Sequence, residues 1–345
     1  MDNTLVSVLM CFYNEKEGFL RESIESILNQ TYRNIEFIII GDCPPNKILP
    51  IVVREYAEKD SRIIYYQNES NIGLTKSLNK GLNLCKGEYV VRMDADDISL
   101  PDRIQKQVRY MDKHPRLVAS GGGAYAIDEN GAIIRRINVS SCFKDIVKTS
   151  IITSPILHPS AIIRLSDTIR YDETFRYAQD YALWISLMER DMLCVSNMGS
   201  PVIKYRYSSG QIFTKHKDEQ MACANRLIKR INALHNIIVP SEDESNWNDL
   251  IRGLGLQMDR REVYEKIISS FNGKNTHVKV FVRKHISNIL LKNLLVLEKK
   301  GGLVQSVSTN YLKKSYKEKC FNFRFLLSCI LEDARSFRIT RNDGS

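Results

Sequence analysis

Several patterns that would settle the class of this 345-residue chain at once are missing. Eight cysteines stand at positions 11, 43, 85, 142, 194, 223, 320 and 329, yet they form no C-x-x-C pair and no Cys/His spacing suited to zinc. That excludes a structural zinc site and suits reduced thiols in apolar runs. No apolar run reaches the eighteen or so residues that a membrane-spanning helix needs. Met1–Asn3 run straight into Leu5–Met10, so neither a leader nor export is expected, and the expectation is a cytoplasmic chain. Neither G-x-G-x-x-G nor G-x-x-x-x-G-K-[ST] occurs, so GGG at 121–123 is not a phosphate loop. Internal repeats and low-complexity tracts are absent as well.

The length exceeds one typical domain and allows one large domain with an appendage. The net charge of +10 is unevenly placed. Residues 1–214 hold 26 basic and 26 acidic side chains, whereas residues 215–345 hold 24 and 14. A basic last third suits anionic lipid, nucleic acid or a phosphorylated acceptor. No nucleic-acid recognition motif accompanies the charge and the front is neutral, so nucleic acid is not an expected partner. The pattern predicts one domain over 1–214 and a basic helical region over 215–345, with the acidic stretch at 241–249 as a turn or linker.

Over the first hundred residues strands alternate with helices: LVSVLMCF, a helix from about Lys16 to Asn29, IEFIII, a helix over Ile48–Lys59, RIIYYQ, a helix over Leu74–Cys85, then EYVVRM. Such alternation implies an α/β fold with a mostly parallel sheet covered on both faces. Ligands of these sheets bind at the carboxyl ends of the strands. The polar residues gather there: Tyr13, Asn14 and Glu15, then Gly41 and Asp42, then Asn68 and Asn71, then Asp94–Asp97. Further along, PDRIQKQVRYMDKHP reads as an amphipathic helix. LVASGGGAYAID reads as a strand broken at Gly121–Gly123, and ENGAIIRR as a turn into another, both antiparallel additions. AQDYALWISLMER opens a helix with Gln179 and Asp180 at its mouth, and VIKYRYSSGQ is a last strand. Helices are expected over Met221–Ile237, Glu262–Phe271, Val278–Leu297 and Phe321–Ala334.

The stretch KGEYVVRMDADDIS carries the chemistry. A β-branched strand ends in three carboxylates, Asp94, Asp96 and Asp97. Like charges packed this closely raise one another's pKa, so a fold keeps them together when a cation or a donor-rich partner compensates. For an isolated DADD, an acidic helix start is the alternative.

Several motifs stand in one order: VSVLMCFYNE, NIGLTKSLNKGLNLCKGEYVVRMDADD, LHPSAIIR and AQDYALW. Together they resemble the inverting family 2 glycosyltransferases of the GT-A fold, of the bacterial O-antigen, capsule and exopolysaccharide type, over roughly residues 4–214. The chain departs from the family where Gly41 replaces the first of two aspartates after the second strand, where Gln179 replaces a glutamate, and where YRYSSGQ lacks a histidine. The Q-x-x-R-W motif of processive synthases is absent.

The resemblance implies that Asp94 and Asp96 hold Mn²⁺ or Mg²⁺ against the diphosphate of a UDP-sugar and that Asp180 is the general base. It implies donor contacts from Tyr13, Asn14, Glu15, Asp42, Asn71, Arg92 and Arg206, and an acceptor side built from His158, Gln179 and Trp184. A lipid-linked glycan is the implied acceptor. Basic C-terminal helices that mix aromatic and charged residues suit peripheral contact with the inner face of the membrane, with a solvated helical cap as the alternative. An inactive scaffold of the same fold and a nucleotidyltransferase are the competing functions.

Overall fold

A computed structural model describes residues 4–43, 48–207 and 217–234. The chain divides into two compact units, Met1–Leu227 and Ile228–Ser345. The expected helices beyond residue 237, the acidic stretch at 241–249 and the basic tail lie outside the described residues. Among those described, no helix is long and apolar enough to cross a membrane.

Four parallel strands form one half of a nine-stranded sheet: β1 (Val6–Phe12), β2 (Ile35–Gly41), β3 (Ile63–Gln67) and β4 (Tyr89–Asp94), in the order β3-β2-β1-β4. Every residue of β1 and β2 is buried, as near-continuous apolar strands covered on both faces must be. The crossovers are α1 (Glu17–Leu28), α2 (Ile48–Lys59) and α3 (Leu74–Leu84). Each turns an apolar stripe inward; α1 does so through Leu20, Ile24 and Ile27. These elements match the sequence expectation to within a residue or two. β1 lies between β2 and β4, in register from Val6–Ile35 to Phe12–Gly41 on one side and from Val6–Tyr89 to Cys11–Asp94 on the other. The connections lead away in opposite directions there, which opens a crevice above the carboxyl ends of β1 and β4.

Beyond β4 come β5 (Ile98–Ser99), α4 (Arg103–Lys113), β6 (Ala119–Ile127), β7 (Ile133–Ile137), α5 (Phe143–Ile152), a 3₁₀ turn over His158–Ser160, β8 (Ile162–Arg164), α6 (Gln179–Arg190), β9 (Val195–Arg206) and α7 (Lys217–Leu234). The sheet continues β4-β8-β6-β9-β5, and β7 pairs with β6. Two expectations change. β6 runs unbroken through Gly121–Gly123, because its ladder with β9 absorbs the glycines as register shifts. It is also parallel to β9 and, across β8, to β4; β5, β7 and β8 are the antiparallel strands. α5 was not expected at all.

Candidate active site

Asp94 closes β4, and Asp96 and Asp97 occupy the turn after it; one oxygen from each of the three carboxylates lies within 4.8 Å of the others. The turn is fastened from far away. Arg206, at the end of β9 and 1% exposed, donates its backbone N–H to Asp97 Oδ1 (2.8 Å) and its Nε–H to the Asp96 carbonyl (2.8 Å). Its Nη1 reaches the carbonyls of Asp128 and Glu129, and its Nη2 meets Glu22 of α1. Expected beside a phosphate, this guanidinium is instead the pin through the acidic turn. Ser23 adds a hydrogen bond from its hydroxyl to the Asp94 carbonyl (2.9 Å).

The electrostatics of the turn are those of a cluster that Arg92, paired with Asp94, compensates only in part. Burial first, then Asp94 and Glu15, push the Asp96 carboxyl up to about 7. Burial with Asp94 and Asp96 raises Asp97 well above the carboxylate range, and its Oδ2 is buried with no partner among the described residues. Half-buried Glu15 is raised as well, again by burial first. Three hard oxygen donors carrying excess negative charge, one with an orphaned oxygen, fit a divalent cation of the Mg²⁺ or Mn²⁺ kind.

A cleft of about 600 Å³ opens beside this turn, and Arg92, Asp94, His158, Gln179, Asp180 and Tyr205 line it. Asp180 stands in the first turn of α6 and accepts a hydrogen bond from the Ser154 hydroxyl (3.0 Å). Burial raises its pKa against the pull of the Tyr181 N–H, Ser154 and Arg92. The residue before the helix, Ala178, holds φ 59°, the left-handed region, and it is the only non-glycine described residue to do so. Such strain persists where surrounding structure fixes it, often at functional sites. Here it swings Gln179 and Asp180 to the cleft.

His158 is buried and bonds through Nε2 to the Tyr171 hydroxyl (2.8 Å). Burial, then Arg92, lowers its pKa well below the imidazole norm, so the ring is neutral. Trp184, expected on the acceptor side, is 0% exposed, in the core behind His158 with the rings edge to face at 6.3 Å. Arg92 is 2% exposed and ion-paired through Nη1 with Asp94.

The remaining expected residues gather at the ends of β1 to β3. Tyr13 and Asn14 are exposed, and Glu15 accepts the Tyr13 N–H (2.8 Å). Asp42 is buried and ties down the loop before α3: it accepts from Asn68 Nδ2 (2.8 Å), the Ile72 N–H (2.9 Å) and the Gly73 N–H (2.9 Å). Exposed Asn71 shares the Gly73 N–H (3.0 Å). Gly73 adopts φ 87°, ψ 154°, a region open in practice to glycine alone. At Gly41, a Cβ would lie 2.5 Å from Gln67 Oε1, 2.9 Å from the Phe12 ring and 3.0 Å from the Tyr65 hydroxyl. Gln67 and Tyr65 of β3 therefore fill the space that an aspartate at 41 would take.

Ser154, Tyr171 and Tyr205 were not singled out from the sequence, and Asp97 and Asn68 were placed at the strand ends without a role of their own. Asp97 had a signal, its place in DADD; the others reach the site across 26 residues, as Ser154 does to Asp180, or from strands whose register no local pattern encodes.

Residues 7–191 match the family model described as glycosyl transferase family 2. An uncharacterized glycosyltransferase of Methanocaldococcus jannaschii is 41% identical over 194 residues, 55% of this chain and 67% of that one. The amylovoran biosynthesis glycosyltransferase AmsE of Erwinia amylovora is 33% identical over 212 residues, 60% and 78% of the two chains. The crystal structure of S. aureus TarS 1–349 in complex with UDP-GlcNAc superposes with a TM-score of 0.54 at 16% identity, covering 92% of each chain, and so shares the fold.

Proposed function

The chain belongs to glycosyl transferase family 2 and is a glycosyltransferase, and from that premise we propose that it moves one hexose or N-acetylhexosamine from a UDP-sugar to a polyprenyl-diphosphate-linked glycan, with inversion, in the building of a surface polysaccharide. The observation that carries the reading is that Asp94, the first carboxylate of the acidic cluster, and Asp180 line one cleft. AmsE, named for amylovoran biosynthesis, supports a polysaccharide product. TarS, solved with UDP-GlcNAc, makes a uridine nucleotide the donor to try first.

Asp180 takes the proton of an acceptor hydroxyl as that oxygen attacks the anomeric carbon. The new bond forms on the face opposite the breaking carbon–oxygen bond, whose electron pair leaves with the nucleoside diphosphate. A raised pKa makes the Asp180 carboxylate a better proton acceptor than a surface aspartate, and Ser154 fixes its rotamer. Asp94 and Asp96, with Asp97 behind them, would hold Mn²⁺ or Mg²⁺, which supplies positive charge for the diphosphate leaving group. Tyr13, Asn14 and Glu15 flank the nucleoside, while Asp42 and Asn71 shape the loop beneath it.

The test is UDP release from a panel of UDP-sugars, with Mn²⁺ or with EDTA, in the parent chain, Asp96→Ala and Asp180→Asn. Metal-dependent release from one or two donors, lost in Asp96→Ala, is the expected result. A folded chain that binds no uridine nucleotide in any condition overturns the donor assignment, and one that binds but transfers to no lipid-linked acceptor favours the scaffold.

A further inference from the structure

Two polar groups on the cleft wall are buried and unpartnered among the described residues: the Nε–H of Arg92, a donor, and Oδ1 of Asn197, an acceptor. Each residue is 2% exposed. Buried polar groups in native proteins nearly always find partners, so an orphan on a cleft wall marks a place for a ligand atom. Asn197 anchors itself through Nδ2 to the Pro155 carbonyl (2.9 Å), and its Oδ1 packs against Gly121 of β6, where a Cβ would lie 2.6 Å from it. Arg92 is held from both sides. Its backbone N–H donates to the Ala161 carbonyl (3.0 Å), and its own carbonyl accepts from Arg103 Nη2 (2.7 Å).

We propose that Arg92 reads the transferred sugar, its Nε–H donating to a hydroxyl or carbonyl oxygen of that sugar and not to the donor's diphosphate. The inference rests on the transferase reading above. Residues two apart on a strand share a face, roughly 7 Å apart, so the Arg92 side chain rises from one pleat deeper than Asp94, its Nη1 reaching the Asp94 carboxylate while Nε stands nearer the strand. Its positive charge is already matched by Asp94. The groups sharing its part of the wall are neutral or negative: His158 is uncharged, Gln179 is an amide and Asp180 a carboxylate. A phosphate there would face Asp180 with no spare cation; a hydroxyl can accept from the Arg92 Nε–H and still donate its own proton to a carboxylate or carbonyl oxygen.

The experiment separates sugar from phosphate by binding, without turnover. Calorimetry measures UDP, UDP-glucose, UDP-galactose and UDP-GlcNAc on the parent chain and on Arg92→Lys, which keeps the charge beside Asp94 and removes the Nε–H. The expected result is UDP affinity within about twofold of the parent and affinity for the preferred UDP-sugar reduced about tenfold or more, the size of one lost hydrogen bond to a charged group. With a deoxy analogue of that sugar lacking the contacted oxygen, the two chains bind alike. Equal losses for UDP and UDP-sugar place Arg92 at the phosphates and overturn the proposal while leaving the transferase intact; unchanged binding of all ligands overturns it too. A parent chain that binds none of the four removes the donor assignment and this proposal with it. Should Arg92→Lys fail to fold, arginine Nε–H NMR of the parent chain decides: a protected signal that moves with UDP-sugar and stays with UDP is the expected outcome, and one that moves equally with both is the contrary.

Discussion

Asp96 binds its proton up to about pH 7 in the folded chain, against an ordinary value of 3.8. Between those values the folded state holds more protons than the unfolded one, so this side chain's contribution is most favourable below about pH 4 and is lost as pH rises through about 7. Asp96→Asn should therefore stabilise the metal-free chain at pH 8 relative to pH 5, by roughly 1–3 kcal/mol once partial exposure and coupling are discounted. Urea titrations at the two pH values in EDTA read that difference. Mn²⁺ at pH 8 should raise the melting temperature of the parent chain and leave Asp96→Asn nearly unmoved. Asp180, also raised by burial, sets an acid limb: transfer is lost as pH falls through a value above the ordinary aspartate range. Asp180→Asn should lower transfer by about 10²–10⁴-fold with donor affinity kept. A loss of donor affinity in the same proportion would make Asp180 a binding group.

Among the elements, β2 and β3 show how a departure from a family pattern is absorbed. Gln67 donates to the Gly41 carbonyl (3.1 Å) and the Asn68 carbonyl (3.2 Å) while Tyr65 donates to its Oε1, so the amide is held in the space above Gly41. Gly41→Asp should cost about 1–3 kcal/mol by overpacking, and Gln67→Ala in the same chain should recover much of it. Additive losses in denaturant titrations would mean that the two positions do not compete. The sequence made β1 to β4 and α1 to α4 legible because their apolar periods are local and several of their turns, those before α2, α3, β4 and α4, carry glycine or proline. α5 stayed hidden because its ten residues mix both patterns and bury Ile146 against distant partners. The acidic turn and the mouth of α6 were readable as motifs. The inward turn of Arg206 was not, since it is decided by what packs against it.

For the whole molecule, charge and catalysis are separated along the chain. The basic excess lies in residues 215–345, while the acidic turn and Asp180 lie in the neutral part. We expect the full chain to float with vesicles rich in anionic lipid at low ionic strength and to come off as salt rises through the physiological range, where the Debye length falls to about 8 Å. Flotation that ignores salt or lipid charge would remove the electrostatic basis for membrane contact. Within Met1–Leu227, the pin from Arg206 to Asp97 joins residues 109 apart, and that separation has a consequence in time. A ribosome adding about 5–20 residues per second delivers the DADD segment several seconds before the residue that fastens it. The nascent sheet can pair β1 with β4 early, yet its acidic turn stays without its pin until nearly all of the catalytic unit has been made. A chain that stops short of residue 206 would thus present Asp96 and Asp97 without the bonds that fasten them, and this enzyme's metal chemistry belongs among the last features its synthesis completes.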